Sequence, residues 1–322
     1  LGEKIAFLFP GQGSQEVGMG RDFYNNFSRA REIFEKANDI LGFNLKELCF
    51  SGPGEELQKT SNAQPAILTT SLAAYEVLRS FYLRPSVVAG HSLGEITALV
   101  AAGVLDYDDA LRLVRIRGEL MEKAFPSGRG GMAAVIGLEP STIEEICVQT
   151  EGVLQIANYN SPAQIVISGE RGAVDKGMEL CQEAGAQKVV PLKVSGPFHS
   201  DLMAQAGDEF AKFLDEIEFK KPVCAFYSNV TGAPVAEPDQ IRKLLVQQIS
   251  APVYWQKIMT ELLKDQLNPI VVIGEGKALI SFVRALDRKK RPVQCSDLSN
   301  LYRVLGKMEA EHVGFKETTV LN

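Results

Sequence analysis

The chain has 322 residues, 45% hydrophobic and 23% charged, the balance of an ordinary globular protein with room for one large domain or two unequal ones. A formal net charge of −6 excludes general affinity for nucleic acid or an acidic membrane surface, and no apolar run is long enough to span a bilayer. Five scattered cysteines without a C-x-x-C pair point to reduced thiols in the cytoplasm and against a disulfide frame, and no metal site is expected.

In chain order, the apolar run 5–9 predicts a buried first strand that runs into Pro10-Gly11-Gln12-Gly13-Ser14-Gln15. That loop has neither the G-x-G-x-x-G spacing of a dinucleotide fold nor the Gly-Lys-Ser/Thr of a P-loop. It reads as a tight turn whose N–H groups can approach a ligand. Helices are expected over 21–41 and 63–82.

Val87, Val88 and Ala89 then suit a short buried parallel strand, and Gly90-His91-Ser92-Leu93-Gly94 fits the G-x-S-x-G nucleophile elbow. Ile96, Leu99, Val100 and Gly103 keep helical spacing, which places Ser92 at a helix N-terminus, where unpaired N–H groups favour negative charge. Ser92 and Glu95 also spell a capping box, but a capping serine needs neither flanking glycines nor a strand directly upstream. The next helix, 107–124, carries an apolar stripe of Ala110, Leu113, Val114, Met121 and Ala124. Arg117 falls in the middle of that stripe, whereas Arg112 and Arg115 project from other faces. A guanidinium facing the core requires an anion, either a buried carboxylate of the protein or one delivered by a substrate, unless the side chain snorkels. Both accounts remain open at this point.

Residues 125–131 are a linker signal. Strands at 132–136, 153–157, 164–168 and 188–194 alternate with helices at 141–151 and 173–184, the first helix opened by a capping box of Ser141 and Glu144. Asn158-Tyr-Asn-Ser-Pro162 is expected to join the middle strands. The order β-α-β-β-α-β is that of a ferredoxin-like unit. It suggests a subdomain over 128–196 inserted into a discontinuous catalytic domain of 1–127 and 197–322. Beyond Ser195-Gly-Pro-Phe-His-Ser200 come a helix (202–217), a strand (223–228), helices near 241–248 and 255–264, a strand (270–273), a helix (278–286) and the cluster Arg288-Lys289-Lys290-Arg291. Residues 312–322 read as a frayed tail.

A serine nucleophile needs a base, and the chain has three histidines. His91 precedes Ser92 on the tight turn and should point away, and His312 lies in the tail. His199, in a turn downstream of the serine, is left as the base.

Phe9-Pro-Gly-Gln-Gly-Ser-Gln15, Gly90-His-Ser-Leu-Gly-Glu95, Arg117, Asn158-Tyr-Asn-Ser-Pro162 and Gly196-Pro-Phe-His-Ser200, in this order, resemble the malonyl-CoA:acyl carrier protein transacylases. These are the acyltransferases of bacterial type II fatty acid synthesis, related to polyketide synthase acyltransferase domains. The resemblance runs from the first strand to about residue 296. It implies an α/β fold with a hydrolase-like core, a parallel sheet and a nucleophile elbow, plus an inserted ferredoxin-like subdomain. It also implies that Ser92 attacks a malonyl thioester, that His199 takes the serine proton, and that the N–H groups of Gln12 and Leu93 hold the oxyanion. Arg117 is then the clamp for the malonyl carboxylate, Phe198 and Asn160 contact substrate, and the backbone carbonyl of Gln248 (or of its neighbour Gln247) orients the histidine. Phe198 matches the malonyl-selecting form of its motif, although Pro197 stands where alanine is expected. The implied partners are malonyl-CoA and acyl carrier protein. No cofactor is implied, the coenzyme A thioester being a substrate, and the enzyme is expected to be a cytoplasmic monomer. An acidic carrier protein needs a basic docking patch, for which Arg284, Arg288, Lys289, Lys290 and Arg291 are candidates; a solvated helix end is the other account of these residues.

Overall fold

The computed structural model describes residues 4–265 and 267–311, so the expected tail, His312 included, lies outside the described residues. An unbroken apolar run can be a strand only if both of its faces are covered, and β1 (Lys4–Phe9) shows how this is met. Phe7 and Phe9 pack into one core with Leu68 and Tyr75, while Ala6 and Leu8 pack into a second with Trp255 and Ile258. Successive side chains thus go to opposite faces of the sheet.

After β1 come α1 (Arg21–Asn26), α2 (Ser28–Leu41), α3 (Leu45–Ser51), α4 (Gly54–Gln58) and α5 (Thr60–Ser80). The helical stretch expected over 21–41 is two helices parted at Phe27, which is extended (φ −133°, ψ 126°) and sets its ring against Phe23 and Phe81. Then follow β2 (Val87–Gly90), α6 (Leu93–Ala101) and α7 (Tyr107–Lys123).

The next segment is β3 (Gly130–Ile136), α8 (Pro140–Gln149), β4 (Leu154–Ser161), β5 (Gln164–Glu170), α9 (Arg171–Glu183) and β6 (Lys188–Pro191). Its four strands pair antiparallel in the order β4-β5-β3-β6, so β5 lies between the two strands that α8 connects, a split β-α-β unit. Ala133, Val135, Ile156, Ile165 and Ile167 face α8 and α9 in a core of their own.

Two segments differ locally from the sequence expectation. Pro140 opens α8, so Ser141 falls inside the helix and makes no cap; Glu144 instead accepts a hydrogen bond from the Tyr159 hydroxyl at 2.9 Å. The Asn158 segment is not a loop but the end of β4. It is held extended by the crossing backbone of Val253, which donates to Ala157 O (2.8 Å) and accepts from Tyr159 N (2.9 Å).

The chain then passes through a 3-10 turn (Asp201–Met203), α10 (Ala204–Leu214), β7 (Ala225–Tyr227), α11 (Pro238–Gln247), α12 (Trp255–Leu262), β8 (Leu267–Ile273) and α13 (Lys277–Leu286). The last described elements are β9 (Val293–Cys295) and α14 (Leu298–Glu311), neither of which is among the elements expected from the sequence. The five-stranded sheet has the order β7-β2-β1-β8-β9, with every pairing parallel. The carboxyl ends of β7, β2 and β1 therefore lie side by side, where open parallel sheets place their ligands. Among the described residues, no helix is long and apolar enough to cross a membrane, and no cluster of side chains could hold a metal ion.

Candidate active site

β2 ends at Gly90 and α6 begins at Leu93, and the two residues between them make the reversal. Ser92 has φ 51° and ψ −109°, a conformation that costs a non-glycine residue roughly 1–3 kcal/mol. Asn229, just beyond β7, holds both ends of the turn: its Oδ1 accepts from Ser92 N at 2.7 Å and its Nδ2 donates to Gly90 O at 2.7 Å. A Cβ on Gly90 would collide with the Gly94 carbonyl, and one on Gly94 with the Phe9 carbonyl, so both positions require glycine. Ser92 caps nothing with its side chain, and Glu95 turns away from it. The capping-box account fails, and the hydroxyl is free to react.

His199 Nε2 lies 2.8 Å from Ser92 Oγ. Its Nδ1 lies 2.8 Å from the backbone oxygen of Gln248, which fixes the proton on Nδ1 and leaves the Nε2 lone pair toward the serine. Of the two adjacent glutamines it is Gln248, the first residue past α11, that supplies this oxygen; Gln247 O is taken by the N–H groups of Ser250 and Ala251. Burial, reinforced by the nearby Arg117 charge, pushes the His199 imidazole down to about 3, so it is neutral at physiological pH. The Ser200 hydroxyl closes the histidine turn on Pro197 O at 2.6 Å.

Arg117 is 1% exposed. Its Nη1 donates to Gln64 Oε1 (2.9 Å), and its Nη2 to Gln248 Oε1 (2.7 Å) and Ser92 Oγ (3.3 Å). Among the described residues its Nε–H has no partner, and its other N–H groups meet neutral oxygens and no carboxylate. Burial lowers its pKa to about 10, against the pull of Glu95, so it remains a cation at neutral pH. Glu95 sits one side chain further out: Gln248 Nε2 donates to Glu95 Oε2 (2.6 Å) and to Ser92 O (2.8 Å). Burial raises the Glu95 carboxyl to about 7, although the donors around it favour the ionised form. A buried guanidinium held only by neutral oxygens can pair with an anion brought to it.

The remaining expected residues fall into three groups. Gln12 and Leu93 follow the ends of adjacent strands β1 and β2, and neither N–H donates within the protein among the described residues. The Gln12 side chain is held by Thr60 Oγ1 at 3.1 Å, which in turn meets Ser195 Oγ at 3.0 Å. Phe198 and Asn160 are both buried. Asn160 Oδ1 is committed to His91 Nε2 at 2.7 Å, and the His91 ring packs against Trp255 and Phe282, pointing away from the serine as expected. Arg284, Arg288, Lys289 and Arg291 are exposed around the end of α13. Arg284 and Arg291 line a surface groove together with Arg303 and Lys307 of α14. Lys290 reaches back to Leu267 O at 3.4 Å.

Sequence reasoning missed Gln64, Glu95 and Asn229. Gln64 carries only a weak form of the signal that exposed Arg117, since Ile67 and Leu68 one turn ahead are apolar but Thr60 and Ser61 one turn back are polar. Asn229 follows a short strand in a Ser-Asn pair, a usual position for ligand-facing groups at the end of a parallel strand.

Residues 6–321 match the acyl transferase domain family. The chain is 40% identical over 312 residues to the malonyl CoA-acyl carrier protein transacylase of Bacillus subtilis (strain 168), covering 96% of this chain and 98% of that one. Among solved structures it is similar to an acyl carrier protein S-malonyltransferase from Vibrio cholerae, with TM-score 0.91 and 39% identity, covering 94% of this chain and 99% of that one. It is also similar to a malonyl-transacylase in complex with its type II PKS acyl-carrier protein, with TM-score 0.92 and 38% identity over the same shares of the two chains.

Proposed function

The chain belongs to the acyl transferase family of malonyl CoA-acyl carrier protein transacylases, and from that premise we propose how its own residues move a malonyl group from coenzyme A to the phosphopantetheine thiol of acyl carrier protein. In the first half-reaction His199 Nε2 takes the Ser92 proton as Oγ attacks the malonyl thioester carbonyl. The tetrahedral oxyanion accepts hydrogen bonds from the Gln12 and Leu93 N–H groups; losing one such donor typically costs about 10²–10³ in rate. The C–S bond breaks, and the departing thiolate takes the proton from His199. In the second half the carrier thiol gives its proton to His199 and attacks the malonyl ester, and Ser92 leaves and recovers that proton. Protons balance, no electron is exchanged, and the coenzyme A thioester is a substrate, so the reaction as written needs no cofactor.

The observation that carries the reading is the buried guanidinium of Arg117, 3.3 Å from the nucleophile and without a protein carboxylate on it. The malonyl carboxylate supplies the missing anion. Phe198, buried beside the base, limits room for an α-branch. Asn160 acts through His91 and the elbow. The backbone oxygen of Gln248 keeps His199 in the reactive tautomer. We treat 128–196 as an inserted subdomain, an assignment supported by its separate core. Arg284, Arg288, Lys289, Lys290 and Arg291 form the carrier docking face, adjoining the elbow through Phe282 of α13. The products feed fatty acid or polyketide elongation, with the cytoplasm as the compartment.

Incubation with labelled malonyl-CoA tests the scheme. Label should appear on Ser92 and move to added acyl carrier protein. Rapid release of free malonate would instead identify a hydrolase, and protein that takes no label would identify a binding protein.

A further inference from the structure

Glu95 is a buried carboxylate, 2% exposed, that the transfer steps above do not use. The groups that face it are donors. Asn229 N donates to Oε1 at 3.2 Å and Gln248 Nε2 to Oε2 at 2.6 Å, and the Ser228 hydroxyl nearby also favours the ionised form. This gives the Gln248 amide a single orientation. With its NH2 shared between Glu95 and the Ser92 carbonyl (2.8 Å), its Oε1 is left facing the Arg117 guanidinium at 2.7 Å. Rotated by half a turn, the amide would set NH2 against guanidinium and oxygen against carboxylate, two repulsive contacts in a buried site.

We propose that Glu95 is the positioning residue that sets the Gln248 amide and, through it, the Arg117 guanidinium that receives the malonyl carboxylate; this rests on the transfer reading above. Gln248 thus serves two purposes in one residue. Its backbone oxygen holds His199, and its side chain, oriented by Glu95, holds Arg117 toward Ser92. Glu95 touches neither substrate nor reacting atom. Its influence falls on Arg117 rather than on the base, so its loss should weaken recognition of a charged acyl group more than of a neutral one.

The variant Glu95→Gln keeps the size of the side chain but puts an NH2 in place of one of the two oxygens that separately face Asn229 N–H and the Gln248 NH2, so the acceptor pair that fixes the facing amide is lost. Initial rates of Ser92 acylation from malonyl-CoA and from acetyl-CoA are compared on one preparation, so that the folded fraction cancels from their ratio. The malonyl:acetyl ratio is expected to fall at least about tenfold, the scale of one hydrogen bond to a charged group. An unchanged ratio, with both rates intact or both reduced equally, overturns the proposal, because a purely structural carboxylate would treat the two acyl groups alike. Should the Gln variant not fold, Glu95→Asp draws the acceptor back by one methylene and carries the same expectation and the same overturning result. Wild-type enzyme that takes no malonyl onto Ser92 would overturn the transfer reading and this inference with it. Normal wild-type loading beside an unchanged variant ratio would remove this inference alone.

Discussion

At the carboxyl edge of the parallel sheet the backbone itself carries the chemistry. Gln12, Ser92 and Asn229 lie within three residues of the ends of β1, β2 and β7, and Ser92 is held in a conformation that only close-packed glycine neighbours permit. The antiparallel unit contributes differently. It has a separate core and reaches the site through the edge strand β4, where Asn160 meets His91 and the Ala157 and Tyr159 backbone hooks Val253. Tyr254 N, next in the chain, donates to Asn229 O at 2.9 Å, so the antiparallel unit braces the residue that braces the nucleophile. The comparison teaches that one region sets reacting atoms and the other holds them still. Changes in the first should be felt in rate, and changes in the second mainly in stability.

Four experiments can break or sharpen that division. Replacing His199 by Ala removes the proposed base and should lower Ser92 acylation by about 10⁴-fold or more while leaving thermal unfolding close to wild type. A loss of less than about tenfold would assign the proton to another group. On the bracing side, Asn160→Ala leaves the half-buried His91 Nε2 without its partner. Denaturant unfolding should show about 1–3 kcal/mol of lost stability, with the acetyl loading rate of folded protein reduced far less than by the His199 change. A collapse of rate at unchanged stability would place Asn160 among the reacting groups.

Gly172, in the first turn of α9, has nothing near its missing side chain and an ordinary φ. Gly172→Ala should therefore be silent in rate and raise stability by about 0.5 kcal/mol, whereas Gly90→Ala is blocked by the elbow backbone. Equal effects of the two would erase the contrast between the regions. The smallest expected effect is a null one. His199 is depressed to about 3 from an ordinary 6.5, so lowering the pH through 6.5 does not protonate it. Acetyl loading measured between about pH 7.5 and 5.5 should change by less than about twofold, and a decline following a midpoint near 6.5 would contradict the buried neutral base.

The parts legible in the sequence were those with a local pattern. The elbow is spelled within five residues, and the alternation of strands and helices over 130–191 reports the split β-α-β unit directly. Arg117 stood out because one charge interrupted an apolar stripe. Gln64 gives a weaker signal, because Thr60, Ser61 and Asn62 before it in α5 are polar as well. Glu95 was hidden by a coincidence, since its spacing from Ser92 also satisfies a capping box, and only the fold shows that its carboxylate turns to Gln248, 153 residues away. β4 was cut short because Asn158 and Asn160 are turn formers by composition; the crossing Val253 backbone, which no local window contains, keeps them extended. The last helix was missed although Leu301, Val304 and Met308 carry helical spacing, because the three-residue β9 before it gives no periodic signal.

We propose that Arg117 receives the acid end of the acyl group and is not a structural cation. The most direct test is the rate of Ser92 acylation by malonyl-CoA against acetyl-CoA in wild type and in Arg117→Ala. A charge-assisted ion pair lost only for malonyl predicts a fall in the malonyl:acetyl ratio of about 10²-fold. Equal losses for the two acyl groups would contradict the claim.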